Sequence, residues 1–191
     1  MSLARKKERI SLDAYFELQR NGPERHDFWD GELVELEATT KNHNRIKRNI
    51  IDAIPRSARQ AAGCELFDEN VMTQLKRGQK YVYTDIVLTC DPRENDPLVI
   101  EYPCIIIEIL SDGTERYDRT DKFFLYQRIP TVEQCIFVAQ NQMAIESFQR
   151  AEQGQWLMQP LQQADEVLYL PKLDHRIPIA AIYEGITLNQ A

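Results

Sequence analysis

The run from Tyr81 to Cys90, YVYTDIVLTC, and the run from Pro103 to Tyr126, PCIIIEILSDGTERYDRTDKFFLY, decide how the chain reads. From Cys104 to Leu110 every residue is apolar except Glu108. So short and β-branched a run, opened by Pro103, reads as a buried strand. An unpaired carboxylate in that position is costly even after relaxation, so Glu108 should meet a cation, hydrogen-bond donors or a neutralising proton.

Asp85 poses the same question in the preceding strand. Alternation there sets Tyr83, Asp85, Val87 and Thr89 on one face, against Val82, Thr84, Ile86 and Leu88 on the other. Two adjacent strands thus carry one acid each. Where such acids share a sheet edge, repulsion raises one pKa unless a divalent cation lies between them; Mg²⁺, with Mn²⁺ as a substitute, is the natural candidate. Downstream, Asp118 and Lys122 stand four residues apart in an expected helix over 118–128, whose apolar side holds Phe123, Leu125 and Tyr126. Lys122 can then reach back toward the carboxylates.

An Asp, then a hydrophobic strand with a Glu, then a Lys on the next helix resembles a nuclease core. The chain is similar, over most of its length, to the bacterial "putative restriction endonuclease" family. That family is a branch of the PD-(D/E)xK nuclease superfamily in which the lysine is displaced from strand to helix. The resemblance is carried by Thr84-Asp85-Ile86 and by Ile107-Glu108-Ile109-Leu110-Ser111, with Thr114, Asp118, Lys122 and Tyr126 at the family's spacings. Upstream, Asp30-Gly31-Glu32-Leu33-Val34 and His43 also fit. Thr84 stands where the superfamily usually has Pro, and Leu110 where it has the strand lysine.

The resemblance implies an α/β fold with a restriction-endonuclease-like mixed central sheet flanked by helices, plus extra carboxy-terminal strands. It implies a metal-dependent endonuclease, acting on DNA, with Asp85, Glu108, Lys122 and His43 in catalytic roles. Glu32 joins Asp85 and Glu108 as an expected metal ligand. An ammonium beside two carboxylates stays charged, so Lys122 is expected to orient water or stabilise developing charge rather than act as a free base. Cutting both strands of a duplex needs two sites, which a homodimer supplies. The competing class is a catalytically silent nucleic-acid-binding or protein-interaction module that keeps the fold and the acids; Thr84, Leu110 and the acidic composition favour it.

At 191 residues and 43% hydrophobic composition, one domain with a real core is expected, and two would be cramped. Residues 1–10 read as a flexible basic leader, in which Arg5, Lys6, Lys7 and Arg9 can touch nucleic acid. Their opening MSLARKKERI lacks the apolar centre of a signal peptide, and no apolar run approaches a membrane span, so a soluble, cytoplasmic protein is expected. Cys64, Cys90, Cys104 and Cys135 form no C-x-x-C pair, and the three histidines are scattered; no disulfide and no zinc site are expected. Net charge is −7, yet residues 1–60 carry 12 Lys and Arg against 10 Asp and Glu, so positive charge is concentrated early.

In chain order, Ser11 can cap a short helix ending before Asn21-Gly22-Pro23, and Arg25 to Glu37 reads as a hairpin turning at Asp30-Gly31. A longer helix from Thr39 or Thr40 to about Ala62, bent at Pro55, buries Ile46, Ile50, Ile51, Ile54 and Ala58. On another face Lys41, Arg45 and Arg48, then Arg56 and Arg59, recur at helical spacing. The first three are candidate phosphate contacts on this helix. Residues 64–75 read as one strand, 76–80 as a basic turn, and Gln134 to Ala139 as a third core strand. Shorter strands over 143–148, 155–161, 167–170 and 173–177 precede a closing helix over 179–183.

Overall fold

The computed structural model describes residues 9–188 except Glu37, Asp112 and Thr114. The leader residues Arg5, Lys6 and Lys7, and Thr114 itself, therefore lie outside the described residues. Ile10, expected within the flexible leader, is instead tied down: its N–H donates to the Gly31 carbonyl at 2.9 Å, and its side chain packs on the cluster around Tyr15 and Phe28.

Helix α1 (Leu12–Asn21) begins where the Ser11 hydroxyl accepts the Ala14 N–H at 3.2 Å, leaving one fewer orphan donor in the first turn. Strands β1 (His26–Trp29) and β2 (Glu32–Glu35) form the expected hairpin, with φ of 50° at Asp30 and 96° at Gly31, the left-handed pair that a two-residue turn requires. Thr40 caps α2 (Lys41–Ala53) through the His43 N–H. That helix stops before Pro55, which has no N–H to extend the ladder, and α3 (Arg56–Ala61) is a separate short helix rather than a bent continuation.

Two expected strands prove to be pairs. Residues 64–75 divide into β3 (Glu65–Asp68) and β4 (Met72–Lys76), because Asp68 Oδ1 accepts the Asn70 N–H at 3.2 Å and turns the chain. Residues 81–89 divide into β5 (Lys80–Tyr83) and β6 (Ile86–Thr89), with Thr84 and Asp85 between them. Then come β7 (Val99–Ile100) and β8 (Pro103–Leu110), the latter buried at all eight positions. Helix α4 (Glu115–Tyr117), a π-helical turn (Asp118–Lys122) and α5 (Phe123–Tyr126) run on as one segment. The chain closes with β9 (Gln134–Ala139), β10 (Ile145–Arg150), β11 (Trp156–Leu161), β12 (Val167–Leu170), a 3₁₀ turn, β13 (His175–Pro178) and α6 (Ile179–Ile182).

The fold is α/β, with mixed sheets flanked by helices. A six-stranded sheet runs β11-β10-β9-β8-β6-β3, a five-stranded sheet runs β2-β1-β5-β4-β7, and β12 and β13 pair by themselves. The chain crosses between the two large sheets five times, two of the crossings being the short links at Glu69–Val71 and at Thr84-Asp85. β8 and β9 are parallel, joined through the helical segment, while β6 and β8 are antiparallel. Alternation on β8 divides the core: Ile105, Ile107 and Ile109 pack with Ile46 and Ile50 of α2 and with Ile54 just past its end, whereas Ile106 packs with Tyr126, Val82 and Val87. Burying each such aliphatic side chain stabilises by about 1.5–3 kcal/mol, so the two clusters fix both helices against the sheet. Glu108, two residues after Ile106, takes the second face. No helix among the described residues is long and apolar enough to cross a membrane.

Cys64 and Cys90 form a disulfide, contrary to the expectation of none. The antiparallel register Glu65↔Thr89 carries on by one residue and sets the two cysteines opposite each other, with Cα atoms 4.1 Å apart. Cys104 and Cys135 are free and buried. Closing a loop between residues 26 apart restricts the unfolded chain by about 3–4 kcal/mol in the chain-entropy account. Reduction by dithiothreitol should therefore lower the thermal midpoint, and the double variant Cys64→Ser, Cys90→Ser should melt at the reduced midpoint with or without reductant.

Candidate active site

The acid pair is built by the strand crossing. The β6–β8 register Ile86↔Ile107 places Asp85, one residue before β6, beside Glu108. The two then lock through backbone donors: the Asp85 N–H donates to Glu108 Oε2 at 3.1 Å, and the Ile109 N–H donates to Asp85 Oδ2 at 2.7 Å. The helical segment supplies the counter-charge. In its π turn the Phe123 N–H reaches back five residues to the Asp118 carbonyl, a widened geometry that recurs at functional sites. Asp118 and Lys122 are both buried there. Lys122 Nζ lies 3.0 Å from Asp118 Oδ1 and 3.3 Å from Glu108 Oε1, and the Tyr126 hydroxyl donates to that same Glu108 oxygen.

Two further elements complete the wall. From the first turn of α2, His43 Nε2 approaches Asp85 Oδ2 at 3.2 Å, while its Nδ1 is buried without a hydrogen-bond partner among the described residues. From β1, Asp27, only 1% exposed, accepts the Tyr83 N–H at 2.8 Å on Oδ1 and the Tyr117 hydroxyl at 3.4 Å on Oδ2. The Tyr117 ring centre lies 5.3 Å from Lys122 Nζ. Asp85, at 17% side-chain exposure, is the most open of the acids around Lys122 and faces a cleft of about 630 Å³.

Electrostatics follow from burial. Burial pushes the Glu108 carboxyl well above the usual carboxylate range; Lys122 pulls it back, and Asp118 and Asp85 add to the rise. Burial opposes the Lys122 charge, but Glu108, Asp118 and Asp27 together outweigh it and hold the ammonium protonated far above neutrality. Burial likewise raises the Tyr126 hydroxyl, which stays a donor. Asp85 and Glu108 offer oxygen donors of the type that hard cations take. No group of three or more His, Cys, Asp or Glu among the described residues is arranged to hold a metal ion.

Of the residues expected in the site, Asp85, Glu108, Lys122 and His43 converge. Glu32 does not: it begins β2 beside the hairpin turn, pairs with Arg9 at 3.4 Å and stays off the cleft, whereas Glu35 at the other end of that strand lines it. Lys41, Arg45 and Arg48 are exposed along a separate groove on the outer side of α2 that meets the cleft at Thr39, and Arg45 donates to the Gly185 carbonyl at 2.7 Å. The cleft-facing cation of α2 is Lys47, one turn beyond His43. Asp27 and Tyr117 were also missed. The signal for Asp27 is the one that exposed Glu108, a lone acid in an otherwise strand-forming run, HDFW.

Comparison with known proteins gives the family and the fold. Residues 12–178 match the Uma2 family, described as "Putative restriction endonuclease". The chain belongs to this family. Among relatives from Synechocystis sp., "Uncharacterized protein slr1290" is 28% identical over 179 residues, covering 93% of each chain. A second, "Uncharacterized protein sll1609", is 25% identical over 155 residues, covering 80% of this chain and 87% of its own. A crystal structure from Anabaena variabilis, titled as a "putative nuclease belonging to DUF820", superposes with a TM-score of 0.72 at 15% identity. It covers 93% of this chain and 99% of that one, which establishes a shared fold.

Asp27 gives the site a pH signature. Burial pushes its pKa up to about 6, with Lys122 and the Tyr83 N–H pulling it down, against 3.8 for an ordinary aspartate. The folded protein therefore binds a proton that the unfolded chain has released. This contribution to stability is complete below the unfolded value and is lost as pH rises through the folded one. Asp27→Asn should remove up to about 3 kcal/mol of that decline. Urea unfolding of both proteins at about pH 4 and about pH 7 measures it; equal slopes in the two would contradict the assignment.

Proposed function

We propose that the protein is a divalent-metal-dependent endonuclease that hydrolyses phosphodiester bonds in DNA. The observation that carries this reading is the meeting of Asp85, Glu108 and Lys122, from the bend between β5 and β6, from β8 and from a π turn, in one cleft. Electrostatics support it: Asp118 and Asp85 add to the rise of the buried Glu108 pKa, and a divalent cation beside Asp85 and Glu108 would relieve that repulsion and favour the ionised carboxylate. Mg²⁺ or Mn²⁺ held by Asp85 and Glu108 would supply Lewis-acid activation of water and neutralisation of the phosphate.

The chain's own residues do the rest. Lys122, held charged by its acids, presents a fixed positive charge to the equatorial phosphate oxygens as negative charge grows on them. Tyr126 and the Asp85 N–H fix the two Glu108 oxygens, so the carboxylate keeps one orientation through the reaction. His43, in the tautomer that donates from Nε2 to Asp85, keeps a lone pair on Nδ1. Lys41, Arg45 and Arg48 would follow the backbone of the same nucleic acid outside the cleft. A homodimer would bring two clefts to a duplex, one for each strand.

A second reading, a silent nucleic-acid-binding or protein-interaction module, is favoured by the Lys122 ammonium already filling the gap between Glu108 and Asp118. Cleavage separates the two. Supercoiled and linear DNA should be cut with Mg²⁺ or Mn²⁺ and left whole in EDTA. Asp85→Asn and Glu108→Gln should each lower the rate by at least about 10²-fold, and Lys122→Met by about 10²–10³-fold, in line with losing a preorganised charge at the transition state. Intact DNA in every metal from a folded wild-type protein would leave the module reading.

A further inference from the structure

Lys47 is a buried cation that the proposed chemistry does not use. It is 6% exposed and stands four residues after His43 on the cleft side of α2, about 6 Å further along the helix axis. A buried ammonium needs a partner, and Lys47 has one in Glu69 Oε1. Glu69 belongs to the turn between β3 and β4, one of the short crossings between the sheets, and its side chain remains 36% exposed. The pairing is incomplete. Glu69 Oε2 is buried without a hydrogen-bond donor among the described residues, and a carboxylate oxygen left in that state gives back much of what the pair gains. Arg25 approaches from the other side, its Nη1 donating to the Glu69 carbonyl at 3.1 Å and its guanidinium lying 5.8 Å from the Tyr83 ring centre. Arg25, Lys47 and Glu69 all line the cleft that holds Asp85 and Glu108.

We infer that Lys47 and Arg25 form a second phosphate subsite, roughly one nucleotide from the reacting phosphate, which Glu69 occupies with its carboxylate until a nucleic-acid strand displaces it. This inference rests on the nuclease reading of the cleft. The chemistry favours exchange. A phosphodiester offers two anionic oxygens, whereas Glu69 spends one on Lys47 and leaves the other unmet. Arg25 carries five N–H donors, of which the Glu69 carbonyl accepts from Nη1. An internal carboxylate also keeps the ammonium from recruiting other anions while the cleft is empty, so binding becomes a swap of one anion for another.

The swap predicts opposite signs for its two partners. Binding of a fluorescent DNA oligonucleotide, single-stranded and as its duplex, is measured by anisotropy across a salt series with Ca²⁺ replacing Mg²⁺. Lys47→Gln should weaken binding about tenfold and flatten the slope of log affinity against log salt by about 0.7 for the single strand or 0.9 for the duplex. Glu69→Gln should tighten binding and steepen that slope, and the double variant should bind no better than Lys47→Gln. Because Glu69 sits on a partly exposed turn, its variant carries the test even if Lys47→Gln fails to fold. Wild type that binds DNA while Glu69→Gln leaves affinity unchanged or weakened overturns the subsite alone. Wild type that binds no oligonucleotide of either kind removes the nuclease reading and the subsite with it.

Discussion

A carboxylate in the middle of a fully buried strand is the constraint from which the rest of this structure follows. Glu108 interrupts β8 at a point where every neighbour in the strand is buried, and an ion there is tolerated only if other elements bring donors and charge to it. Three do so from different parts of the chain. The bend between β5 and β6 brings the Asp85 N–H, the π turn brings Lys122, and α5 brings the Tyr126 hydroxyl. The first two give up some regularity, a continuous strand in one case and an α-helical ladder in the other. The irregular points of the fold therefore coincide with the groups that contact Glu108.

The same strand separates scaffold from chemistry. Its isoleucines on one face pack against α2 and the carboxy-terminal hairpin, a purely apolar contact that holds α2 in register. That register sets His43 and Lys47 on the cleft side and leaves Lys41, Arg45 and Arg48 outside. Function on α2 is thus positioned by packing on the opposite side of the sheet. The 15% identity to the Anabaena structure at a TM-score of 0.72 fits such a scaffold, since aliphatic cores exchange side chains freely provided volume and pattern are kept.

What was legible in the sequence was whatever depends on neighbours in the chain: the buried strand with its anomalous acid, the capped first helix, the Asp30-Gly31 hairpin and the strand-rich end. Tertiary pairing was not. Nothing between Cys64 and Leu75, or between Tyr81 and Thr89, announces that the chain changes sheets midway, because apolar alternation persists on both sides of each bend. The Cys64–Cys90 bridge depends on the register of β3 against β6, which linear spacing does not encode. Glu32 was chosen by position in a motif, yet period-2 geometry over a short hairpin put Glu35 at the cleft. On α2 the conspicuous arginine stripe drew attention from Lys47, which hides among the isoleucines because a buried cation and a core residue share the same helical face.

The π turn carries an evolutionary consequence. It holds one residue more than an α-helix needs over the same rise, so a single in-frame codon loss between Glu115 and Phe123 would return the segment to regular winding. The flanking turns could keep their places, while the side chains of the π turn itself, Asp118 and Lys122 among them, would be redistributed around the axis. Acids and ammonium would part company without unfolding the domain. Within this fold, then, the length of this helix in a relative is as informative as the identity of its residues.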